Sequence, residues 1–112
     1  MMVDALCDLL DAKVLCGETD KPFLGVYTGD LLSRAMSKVE TDCIWVTIMS
    51  NVNVVAVATL TEPAAIVLAE DVVLQDDALT AARDNGLTVM SSPLSACDIC
   101  VAIARFVEEM ET

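Results

Sequence analysis

The stretch CIWVTIMSNVNVVAVATL, residues 43–60, decides how the chain is read. Its first seven residues, Cys43 to Met49, join β-branched and aromatic side chains without a charge, the pattern of a strand buried on both faces. Ala64 to Ala69 (AAIVLA) is a second such run and Leu87 to Met90 (LTVM) a shorter one. Between the first two lies Asn51–Leu60. Its valines favour a strand by local propensity, while its length and position suit a crossover helix. Propensity leaves both open.

Outward from this stretch, Lys13–Cys16 and Gly25–Thr28 read as short strands, the first closed by Gly17 and a polar turn through Pro22. Four segments carry helical spacing: Val3–Ala12, Leu31–Val39, Asp76–Asn85 and Leu94–Met110. Thr28 or Asp30 is the expected cap of the second, and Asn85-Gly86 the stop of the third. The last has an apolar stripe wide enough to be largely buried. From Cys43 on, the order strand, crossover, strand, helix, strand, helix predicts an α/β fold: a single domain, residues 1–112, with a mostly parallel sheet and helices on both faces.

In such sheets ligands bind outside the carboxyl ends of the strands. The loops there would supply Thr28, Gly29 and Asp30, then Ser50, Asn51 and Asn53, then Glu70 and Asp71, then Ser91 and Ser92. The serines and asparagines are the candidate small-ligand rim, and helix capping is the competing role for them.

Composition narrows the function. Eighteen acidic against six basic residues give a formal net charge of −12, with 55% hydrophobic residues among 112. Such a surface repels phosphate backbones and anionic lipid heads, so nucleic-acid and membrane partners are not expected. The longest uncharged stretch, 43–61, holds two asparagines near its centre, which disfavours insertion into a bilayer. The N-terminus has Asp4, Asp8 and Asp11 where a signal peptide would be apolar, and five scattered cysteines suit free thiols. A cytoplasmic protein is expected. Histidine is absent, which removes Ser-His-Asp and Cys-His catalysis.

Three motifs invite chemistry. Cys97-x-x-Cys100 has the spacing of a redox or metal pair, yet no second pair accompanies it, and helical placement predicts core packing for both. Gly25-x-x-x-Gly29 precedes a helix but lacks the phosphate-loop lysine. Glu70-Asp71 follows a buried strand as magnesium-binding acids do, but none of Lys13, Lys21 and Lys38 ends a well-marked strand to complete a receiver-like set. No cofactor or metal is expected. Trp45 is expected in the core.

GVYTGDLLSRAM (25–36), IWVTIMSNVNVVAVATL (44–60), AAIVLAED (64–71) and LTVMSSPLSACDICVAI (87–103) together resemble the DRTGG domain family. Such domains stand alone, or occur in phosphotransacetylases and between the CBS modules of regulated pyrophosphatases. The chain is also similar to the N-terminal region of HPr kinase/phosphorylase. The resemblance implies a parallel α/β domain that dimerises, a helix at Asn51–Leu60, and a regulatory role. It also implies a protein partner in an iron–sulfur hydrogenase-related system. Where the family often has a histidine this chain has Ser50-Asn51, and where it has a glycine this chain has Glu70-Asp71, so no imidazole site carries over. The expectation is a non-catalytic regulatory or protein-interaction domain acting as a homodimer. The alternatives are a small-ligand sensor, for a nucleotide in one version, that uses the Ser/Asn rim, and a redox or iron–sulfur-associated protein using Cys97 and Cys100.

Overall fold

The computed structural model describes residues 1–111. In chain order its elements are α1 (Ala5–Leu9), β1 (Lys13–Cys16), β2 (Val26–Thr28), α2 (Leu32–Lys38), β3 (Ile44–Thr47), α3 (Val52–Thr61), β4 (Ala65–Leu68), α4 (Asp76–Asp84), β5 (Val89–Ser91) and α5 (Ala96–Glu111). They build one five-stranded sheet in the order β1-β5-β4-β3-β2. The four strands β2 to β5 are parallel, and β1 alone runs antiparallel against β5.

The segment Asn51–Leu60, left open by propensity and implied by the resemblance to be a helix, is helical, and the sheet explains why. Ile44 lies opposite Ala65 and Thr47 opposite Leu68 in a parallel pair, which no hairpin can join. The connection must cross over. A strand preference for valine is worth at most about 1 kcal/mol per residue, whereas fully burying a valine contributes about 1.5 kcal/mol or more. As a helix, Val54, Val55, Val57 and Ala58 are all buried. Asn51 starts α3 by accepting the Asn53 backbone N–H on its side chain, 3.0 Å away, and Glu62 ends it in a left-handed turn (φ 56°).

Alternation along β3 divides the core. Trp45, with Ile66, Leu68 and Val89, packs under α2, α3 and α4. Ile44 and Val46, with Ala65, Val67 and Met90, pack under α1 and α5, where Leu6, Leu10, Phe23, Ile99 and Ile103 fill the second layer. Trp45 is fully buried, and its indole N–H donates to the Gly29 carbonyl at 3.1 Å.

Two helical stripes differ from expectation. In α5 only Ile99 and Ile103 are buried, and Val101 and Met110 are exposed, because no layer covers the outer half of that helix. Before and within α2, Leu31 and Met36 are exposed and Ala35 is the buried residue. No helix among the described residues is long and apolar enough to cross a membrane.

Candidate functional site

The helices after β2, β3 and β4 share one layer, while α5, after β5, lies on the other face. Loops leaving β4 and β5 therefore diverge, and a crevice opens between such loops at the carboxyl edge of a parallel sheet. The carboxyl rim divides into a β2–β3 part and a β4–β5 part, and the divergence lies within the second.

The β2–β3 half is knitted to itself. Asp30 does not cap α2. Its carboxylate accepts the Thr47 hydroxyl at 2.7 Å and the Ile48 N–H at 3.0 Å, tying the end of β2 to the end of β3. Thr47 in turn accepts the Met49 N–H at 3.1 Å. With Leu31 at the cap position and only seven residues in α2, the Gly25–Gly29 segment offers no anion-binding helix end. Gly29 instead allows close packing, since a Cβ there would lie 2.7 Å from the Tyr27 hydroxyl. Asn51 is a helix cap, Asn53 is exposed, and the Ser50 carbonyl accepts the Gln75 N–H at 3.0 Å. Thr28 is exposed, and its side chain hydrogen-bonds to Cys100 of α5.

The β4–β5 half is different. Ser92 is buried, donates to the Leu10 carbonyl at 2.6 Å and accepts the Leu94 N–H at 3.2 Å, so its hydroxyl is committed to the fold. Glu70 and Asp71 both adopt left-handed backbone (φ 59° and 57°), and their N–H groups donate to the carbonyls of Leu94 and Ser92. Ser91 and Asp71 line a cavity of about 430 Å³ beside the start of α4, with Leu15, Leu74 and Leu79 as apolar walls and Lys13 and Asp76 at its polar edge. That volume lies in the range of small-molecule sites.

Lys13 is the residue that sequence reasoning missed. It opens β1, so it looked remote from any strand end on the rim. Because β1 is antiparallel, its first residue pairs with Ser91, the last of β5, and the amine arrives at the carboxyl edge beside Asp71. No local pattern signals the direction of β1, because its partner strand β5 lies far along the chain. Among the described residues no group of three or more Cys, Asp or Glu is placed to hold a metal ion.

The cysteines divide likewise. Cys16 and Cys43 are buried, and burial pushes both thiols up. Contrary to the core packing expected of the Cys97-x-x-Cys100 pair, Cys97 is exposed and Cys100 only half-buried.

No protein-family model matches the chain, and no curated protein does. Among solved structures it is similar to the CBS and DRTGG domains of the regulatory region of a Clostridium perfringens pyrophosphatase, solved with its activator diadenosine tetraphosphate. The TM-score is 0.71 at 13% identity, over 90% of this chain and 45% of that one. The chain thus has a DRTGG-like fold, and it spans under half of that neighbour.

Proposed function

We propose that this chain is a non-catalytic regulatory domain that works as a homodimer through the outer face of α3. The observation that carries the reading is the charge distribution of one helix layer. The central helix, α3, has no charged residue, and its outer face presents Val52, Ala56 and Leu60 to solvent, Leu60 being 72% exposed. Together with Ala81 and Asn85 of the α4 side they border a shallow apolar groove of about 370 Å³. On a chain of net charge −12, an uncharged strip is where two copies meet without like-charge repulsion.

The flanks complement each other. On one side of α3, α2 carries exposed Arg34 and Lys38 and no acid; on the other, α4 carries exposed Asp76, Asp77 and Asp84 against Arg83. A two-fold axis parallel to α3 lays α2 of one copy over α4 of the other, an isologous contact that pairs opposite charges twice. Exposed pairs contribute at most about 1 kcal/mol each, so they set orientation while the apolar strip supplies affinity. Five free thiols suit a reducing, cytoplasmic location. Leu60→Glu, a change at an exposed helix position, is expected to leave the circular dichroism spectrum intact and abolish association in light scattering. An unchanged particle mass would remove the proposal.

A second reading, ligand sensing, is favoured by the cavity at Lys13, Asp71 and Ser91. The fold neighbour was solved with a nucleotide activator, which makes adenine nucleotides the first probes. Binding at saturating ligand should raise the melting temperature, and Lys13→Ala should cancel the rise. No rise with any nucleotide would count against it.

A further inference from the structure

We propose that Cys97 and Cys100 form a thiol–disulfide exchange site at the first turn of α5, with Cys97 as the attacking thiol and Cys100 as the resolving one. The dimer and ligand readings do not use these residues.

The two positions differ in the way such chemistry requires. Cys97 is exposed and second in a sixteen-residue helix. Ser95 caps that helix by accepting the Asp98 N–H at 3.1 Å and, on its carbonyl, the Ile99 N–H at 2.9 Å. Its exposure leaves the Cys97 sulfur open to an incoming disulfide. Cys100 is half-buried against the second core layer, where burial pushes its thiol up and a hydrogen bond from Thr28 opposes the rise. It is thus shielded from an outside disulfide but next to Cys97.

Geometry permits closure with some strain. Residues three apart on a helix have Cα atoms about 5 Å apart, within the roughly 4.4–6.8 Å that a disulfide spans. Their Cβ atoms start about 5–6 Å apart and must approach to about 3.8 Å. The first turn can tighten because Ala96 and Cys97 precede the backbone ladder that begins with the Ile99 N–H on the Ser95 carbonyl. A strained disulfide has an oxidising potential, the property of labile, regulatory pairs.

The co-reactant is a low-molecular-weight disulfide, RSSR. Cys97 loses its proton and its sulfur attacks one sulfur of RSSR. The S–S bond breaks, one RS⁻ leaves and takes up a proton, and a mixed disulfide remains on Cys97. Cys100 loses its proton and attacks the Cys97 sulfur, releasing the second thiol. Two protein thiols are oxidised by two electrons and RSSR is reduced to two RSH.

The test treats the full chain with oxidised glutathione, alkylates the remaining thiols and analyses the tryptic peptide Asp84–Arg105, which holds both cysteines. Wild-type protein should yield this peptide lighter by two hydrogens and unalkylated. Cys100→Ser should accumulate glutathione on Cys97, and Cys97→Ser should exchange slower by about tenfold or more. Full alkylation of both wild-type thiols after treatment would overturn the proposal, as would equal exchange in the two single variants. Circular dichroism of each variant reports whether α5 is intact.

Discussion

At the residue scale, the carboxyl rim shows how one side chain type takes different work from its surroundings. Asp30 stands where a helix cap is expected, yet the Thr47 hydroxyl and Ile48 amide capture its carboxylate. Their positions follow from strand register, which no local pattern in 25–36 encodes. Glu70 was legible as an acid after a strand but not as a left-handed residue (φ 59°). That conformation costs a residue with a Cβ about 1–2 kcal/mol, a cost that a glycine, such as the resemblance implies at Glu70-Asp71, would avoid. Glycine in turn loses more entropy on folding, about 0.4–1 kcal/mol. Glu70→Gly should therefore stabilise the protein by roughly 0.5–1 kcal/mol, read as a higher urea midpoint with an unchanged slope. A lower midpoint would show that the Glu70 side chain itself holds the loop.

At the element scale, the strands β3 and β4 could be read directly, because an uncharged β-branched run of that length has few other fates. Helix α3 could not. It is apolar on all sides, so periodicity is mute, and only the parallel pairing of its neighbours forces the crossover. The direction of β1 was equally hidden, and with it the arrival of Lys13 beside Ser91. The breadth of the α5 stripe misled for the opposite reason: its pattern records apolar positions, not what lies above them. Asn51 could be read as cap or ligand, and the bond to the Asn53 amide makes it a cap. Asn51→Ala should cost about 1 kcal/mol, measured by urea unfolding. No loss would mean that packing under Val54 and Val55 alone sets the start of α3.

At the scale of the whole molecule, buried thiols and net charge govern how solution conditions act. Burial raises the Cys16 and Cys43 thiols above their ordinary 9.0. Below that value both states hold the proton and the contribution to stability is full. Above it the unfolded chain ionises first, so stability falls as pH rises toward the folded-state value. The melting temperature should decline from about pH 9 upward, and Cys43→Ala should flatten the decline. A decline of the same steepness in that variant would assign it to other groups. The charge of −12 opposes self-association at long range, and salt screens that repulsion over about 10 Å at 0.1 M. Pairing through an uncharged helix face should therefore tighten with salt. Sedimentation velocity of the wild-type chain across a micromolar concentration series, at low and moderate salt, tests this most directly. The account predicts a species of twice the 11.9 kDa chain mass that gains population with concentration and with salt. A single 11.9 kDa species under all conditions would contradict it.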